Sequence, residues 1–249
     1  MEELLTAAQM KAIEQAAIES GVVTGLELME RAGQGVVEAI FEEWPELTDA
    51  PAAGAKGGVA PSASGIHPQD ISRQKKRRAV VLFGLGNNGG DGFVVARLLH
   101  GLGWEVEVFL YGEADKLPPN ARVNYVRWLK IGKVTIKQID PPPLVEDSLS
   151  HAIEGDIIVD ALFGIGLTRP FKGIFYASTQ SILRNAYRKM GVRFVAIDIP
   201  SGLASDSGEI IGHAIEADLT VTFHQLKIGH AKGQGPTVCG KTVLKGIGL

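Results

Sequence analysis

The stretch Ala79-Val80-Val81-Leu82-Phe83-Gly84-Leu85-Gly86-Asn87-Asn88-Gly89-Gly90-Asp91-Gly92 runs from five apolar residues through a glycine-rich turn towards the apolar Phe93-Val94-Val95-Ala96. A short run rich in β-branched residues, then glycines, then a helical pattern beginning near Asp91, marks the handover from a buried strand to a helix in an α/β unit. Gly84, Gly86 and Gly89 carry the spacing G-x-G-x-x-G, where small residues permit a tight turn and leave N–H groups free to face a phosphate. Downstream, similar runs at 105–110, 133–137, 156–160, 193–198, 219–223 and 237–244 read as strands. Helices are predicted to begin near Pro119, Val145 and Ile174. Several strands are almost wholly apolar, as strands covered on both faces must be. The expected architecture is a three-layer, Rossmann-like α/β domain with a mostly parallel central sheet and helices on both faces.

Upstream, Thr6 is a plausible N-cap for a helix reaching about Ser20, with Gly21 as its stop. A second helix, 25–44, places Leu26, Met29, Ala32, Val36, Val37 and Ile40 on one stripe, which packs on the main body and offers a surface that a homodimer could use. Residues 45–78 then turn to Ala, Gly, Pro and Ser and end in the run Arg73-Gln74-Lys75-Lys76-Arg77-Arg78, the composition of a flexible insertion. The 249 residues, 45% of them hydrophobic, suit one domain over 1–249 with that insertion inside it. A net charge of −3 supplies no general field for nucleic acid. The N-terminus lacks the features of a signal peptide, no apolar run approaches the roughly 20 residues needed to cross a bilayer, and the single Cys239 cannot form an internal disulfide. A cytoplasmic protein without membrane or nucleic-acid partners is expected.

In an open parallel sheet, ligands collect beyond the carboxyl ends of the strands. Three ends are polar and glycine-rich here: Gly84 to Gly92, Asp160 followed by Phe163 to Pro170, and Asp198-Ile199-Pro200-Ser201-Gly202. Asp160 and Asp198 each close an apolar strand, so two carboxylates and the Asn87-Asn88 pair should surround one crevice. Partly desolvated carboxylates serve as acid or base, and Asn, Asp and Ser oxygens suit a hard cation. The end of the second strand, Phe109-Leu110-Tyr111-Gly112, has no acid before Glu113, which leaves an ordinary dehydrogenase fingerprint incomplete. Ser201 lacks the G-x-S-x-G elbow of a serine hydrolase. The six histidines form no metal motif, although His224 and His230, near Lys227, could border the pocket.

Taken together, Leu28-Met29-Glu30-Arg31-Ala32-Gly33, Asn87-Asn88-Gly89-Gly90-Asp91, Asp160 to Arg169 and Ala196 to Leu203 resemble the NAD(P)H-hydrate epimerase family, the YjeF N-terminal domain. The resemblance spans nearly everything except 45–78. It implies an isomerase that interconverts the R and S forms of hydrated NADH and NADPH at C6 of the nicotinamide ring, so that an ATP- or ADP-dependent dehydratase, its functional partner, can restore the S form. It further implies contacts to the hydrated dinucleotide from Asn87, Asn88, Gly89, Gly90, Asp91, Gly164, Ile165, Gly166, Leu167, Thr168, Arg169, Pro170 and Asp198. One potassium ion per subunit would be held by Asn88, Asp160 and Ser201, with Asp198 as the acid/base group. Because no kinase-like ATP-binding half is present, epimerisation alone is expected. The rival readings are a non-catalytic nucleotide- or protein-binding module of the same fold and an NAD(P)-dependent dehydrogenase.

Overall fold

The computed structural model describes residues 4–48, 76–137, 155–170 and 188–249. Two helices open the chain, α1 (Ala7–Glu19) and α2 (Gly25–Glu43). Each begins with a reciprocal capping box, Thr6 with Gln9 and Thr24 with Glu27, which satisfies N–H groups that a helix start otherwise leaves without partners. Both ends of the 45–78 segment carry regular structure. Pro45–Leu47 forms a single 3-10 turn that buries Leu47, and Arg78 already belongs to the first strand. Residues 49–75 lie outside the described residues.

Among the described residues the sheet has seven strands, β1 (Arg78–Phe83), β2 (Glu105–Tyr111), β3 (Thr135–Lys137), β4 (Ile157–Ala161), β5 (Arg193–Ile197), β6 (Leu219–Phe223) and β7 (Lys241–Lys245), in the order β3-β2-β1-β4-β5-β6-β7. Every pairing between them is parallel, where the sequence led us to expect a mostly parallel sheet. β4 and β6 are buried along their whole length, which fits their mainly apolar, β-branched character; the polar exceptions, Asp160 in β4 and Thr220 and Thr222 in β6, are buried with them. The seventh strand is shorter than 237–244: Gly235–Val238 forms one helical turn before β7 starts.

Between β1 and β2 runs α3 (Asn87–Gly101), and α4 (Pro119–Leu129) follows β2. α2, α3 and α4 cover one sheet face, where Phe83 of β1 stacks on Phe93 of α3 with ring centroids 4.0 Å apart. On the other face Val80, Leu82, Phe109, Ile158 and Phe194 form a second buried cluster. The helices expected from Val145 and Ile174 fall outside the described residues. Cys239 is buried, and burial pushes its thiol up to about 12, so it packs as a small apolar group. Among the described residues no helix is long and apolar enough to cross a membrane.

Candidate active site

The strand order reverses between β1 and β4, and the carboxyl ends of these two strands approach so closely that only glycine fits at position 84. A Cβ there would stand 1.8 Å from the Leu162 carbonyl oxygen. α3 starts at Asn87, earlier than the expected start near Asp91, so Asn87 to Asp91 form its opening turn. No side chain caps this end, which leaves first-turn N–H groups and the positive end of the helix dipole facing the crevice. Asn87 is exposed, whereas Asn88 is buried and its side-chain nitrogen has no hydrogen-bond partner. Asp91 is half-buried, and its carboxyl is pushed well above the ordinary range by desolvation, then by the negative charges of Asp198 and Glu14.

Asp160, the fourth residue of β4, is 2% exposed. Its Oδ1 accepts from the Ser201 hydroxyl at 2.6 Å and the Leu162 N–H at 3.2 Å, and its Oδ2 accepts from the Ser201 N–H at 2.8 Å. Burial raises its pKa to about 6, against the lowering effect of those Ser201 and Leu162 bonds. The Ser201 hydroxyl also accepts from the Phe163 N–H at 2.9 Å. Next along the chain, a Cβ at Gly164 would stand 3.3 Å from the Asn88 side chain. Hydrogen bonds thus join Phe163, Ser201 and Asp160, and Asn88 lies beside the adjoining Gly164. The group is rich in oxygen, and turning over the unpartnered Asn88 amide would present its Oδ1, so the donor set fits a hard monovalent cation. No cluster of three His, Cys, Asp or Glu side chains suited to a metal occurs among the described residues.

Asp198 directly follows β5 with φ +65°, a left-handed conformation unusual for any residue but glycine. It is 8% exposed. Oδ1 accepts from Lys227 Nζ at 2.6 Å and the Thr222 hydroxyl at 3.0 Å, and the main-chain carbonyl meets His230 Nε2 at 2.8 Å. Desolvation lowers the His230 pKa, opposed by the Asp198 charge. His224 stays at the rim: it is half-buried and its N–H bonds to the Lys245 carbonyl. In the loop after β4, Gly164, Ile165 and Leu167 are half-buried, while Gly166, Thr168, Arg169 and Pro170 are exposed.

The sequence reading missed the contributions of Thr222 and Glu14. Glu14, half-buried on α1, has its pKa raised by desolvation and by the Asp198 charge, which places α1 beside the crevice. Lys11, one turn earlier, reaches to 3.9 Å from where a Gly166 side chain would begin. The only available signal was helical phase: Met10 is buried on the sheet side and Glu14 lies one turn on.

Residues 25–229 match the family described as YjeF-related protein N-terminus. The chain belongs to this family. YjeF-type relatives match it from end to end: the NAD(P)H-hydrate epimerase of Roseobacter litoralis is 42% identical and that of Rhodobacter capsulatus 43% identical, each alignment covering 100% of both chains. The bifunctional NAD(P)H-hydrate repair enzyme Nnr of Coxiella burnetii is 33% identical over 97% of this chain, which spans 40% of that longer protein. The crystal structure of yeast YNL200c superposes with a TM-score of 0.65 at 21% identity, covering 98% of this chain and 88% of that one, and shares the YjeF-type fold.

Proposed function

We propose that this protein is an isomerase that interconverts the R and S forms of hydrated NADH and NADPH at C6 of the nicotinamide ring. The observation that carries the reading is the end-to-end match to NAD(P)H-hydrate epimerases in a chain whose motif residues converge at the ends of β1, β4 and β5. A binding module of the same fold would have no need of a buried, hydrogen-bonded carboxylate like Asp198 beside the phosphate-type helix start.

The opening turn of α3, Asn87 to Asp91, would take the pyrophosphate on its free N–H groups. The loop from Gly164 to Pro170 would close over the dinucleotide, its exposed Arg169 at the outer edge. Asn88, Asp160 and Ser201 would hold potassium, which when bound supplies a fixed positive charge beside a substrate that carries phosphates. At the reacting carbon, protonation lets the C6 hydroxyl leave as water, the ring nitrogen spreads the positive charge, and a water returns to either face and gives its proton back. Asp198 would move that proton and offset the ring charge. Incorporation of labelled water oxygen at C6 during epimerisation checks this route, and epimerisation that retains the original oxygen contradicts it. The S form produced would pass to the dehydratase, and the longer relatives that share this domain are named bifunctional NAD(P)H-hydrate repair enzymes.

The test supplies the R form of hydrated NADH with an S-specific dehydratase and follows the return of NADH absorbance. Recovery well above the spontaneous rate is expected, and a well-folded protein that gives no acceleration overturns the reading.

A further inference from the structure

Lys227 stands out because its burial is not explained by any contact it could make with substrate. Its side chain is 2% exposed, a rare state for an ammonium, which must recover in hydrogen bonds and opposite charge what it loses in water. All three of its donors are used: Asp198 Oδ1 at 2.6 Å, the Thr222 hydroxyl at 2.8 Å and the Phe223 carbonyl at 3.1 Å. None remains for a ligand. The Lys227 backbone N–H donates to His230 Nδ1 at 3.0 Å. That makes Nδ1 the acceptor and leaves Nε2 as the donor to the Asp198 carbonyl. The segment carrying both residues is pinned in turn by Leu5, whose N–H bonds to the Leu226 carbonyl and whose carbonyl accepts from the Ile228 N–H.

Asp198 is therefore fixed at its N–H by the Val221 carbonyl, at its own carbonyl by His230, and at Oδ1 by Lys227 and Thr222. Oδ2 has no hydrogen-bond partner among the described residues. Nor is it enclosed, since among the described residues the buried side-chain atoms without partners are Asn88 Nδ2 and the Tyr111 hydroxyl. Without the clamp, an aspartate at positive φ is free to relax, and its carboxylate can rotate either oxygen towards the nearest donor.

We propose that Lys227 and His230 are positioning residues for the epimerisation, clamping Asp198 so that Oδ2 alone is presented to the substrate. The inference rests on the epimerase reading above and adds to it which carboxylate oxygen works and what holds it there.

Steady-state kinetics on hydrated NADH test it. Lys227→Met, close in length but without charge or donors, is expected to lower kcat about 100-fold, the scale of a catalytic group misplaced by an ångström. KM should stay within about threefold of wild type, because the lysine makes no substrate contact. Adding Lys227→Met to Asp198→Asn should cause no further loss, since the lysine acts through the aspartate. His230→Ala should lose rate and His230→Gln should recover part of it, an amide being able both to accept and to donate. Should Lys227→Met fail to fold by circular dichroism, this histidine pair decides the matter. A kcat within about threefold of wild type in Lys227→Met, or in His230→Ala, overturns the proposal. So does an additive loss on top of Asp198→Asn. A wild-type protein without epimerase activity overturns this inference and the functional reading together, which separates that failure from the others.

Discussion

Asp198 holds a backbone conformation that costs a non-glycine residue about 1–3 kcal/mol, and such strain persists only where the surroundings over-determine it. Close backbone approach constrains the site a second time at Gly84. Gly84→Ala would drive a Cβ to 1.8 Å from the Leu162 carbonyl, so we expect a loss of about 1–3 kcal/mol, read as a lower thermal midpoint; an unchanged midpoint would mean that β1 and β4 can part freely. Glu14 gives a prediction with a sign. Its folded pKa is raised above 4.5, by desolvation first and Asp198 second, so the folded state keeps a proton that the unfolded chain gives up. Stability linked to Glu14 is then present below that value and lost as pH rises through the raised one. Glu14→Gln should gain on wild type as pH rises from about 4.5 through the raised folded pKa in paired thermal melts, whereas a difference constant with pH would contradict the assignment. At this scale the places of Asp160 and Asp198 were legible in the sequence because residues that directly follow or close a strand have a fixed place, and Asn88 was legible as part of the glycine-rich stretch after β1. Glu14 and the clamping role of Lys227 were not, because both depend on how the N-terminal segment and the turn after β6 dock across the crevice, which no local pattern records.

Elements show where local pattern and packing diverge. Asn87-Asn88-Gly89-Gly90 reads as a loop because Asn and Gly are weak helix formers, yet it is the first turn of α3. Tertiary packing decides: a Cβ at Gly90 would lie 2.6 Å from Met29 Sδ, and one at Gly92 2.6 Å from Ala161 Cβ, so these glycines are what lets the helix seat against α2 and β4. The Thr6 cap was readable from cap chemistry and the start of the second helix at Gly25 from its apolar spacing, while the edge strands β3 and β7 came out short because edges carry the weakest apolar signal. Thr24→Ala removes the cap and one half of the box at α2. We expect about 1 kcal/mol of destabilisation in denaturant unfolding, and no change would mean that packing alone starts this helix.

Across the whole molecule, the parallel order β3-β2-β1-β4-β5-β6-β7 puts the switch between β1 and β4 at the middle of the crevice. Alternating strands and helices were enough to foresee that crevice, but not which face α2, α3 and α4 would share. The same geometry places Asn88 beside the loop whose Phe163 N–H bonds to Ser201, which in turn bonds to Asp160. Potassium, if held there by the folded state alone, should raise the thermal midpoint in proportion to about 2.7 kcal/mol at 100 times its dissociation constant. Replacing potassium with a large organic cation should remove the rise, as should Asn88→Ala; a midpoint indifferent to potassium would exclude the site. On the proposed mechanism Asp198, at the end of β5, moves the proton through which the hydrated nicotinamide ring epimerises. The decisive experiment is the dehydratase-coupled recovery of NADH from the R hydrate, run side by side for wild type and Asp198→Asn. Acceleration by the wild type that disappears in a well-folded Asp198→Asn is the expected result, and equal acceleration by both proteins would contradict the account.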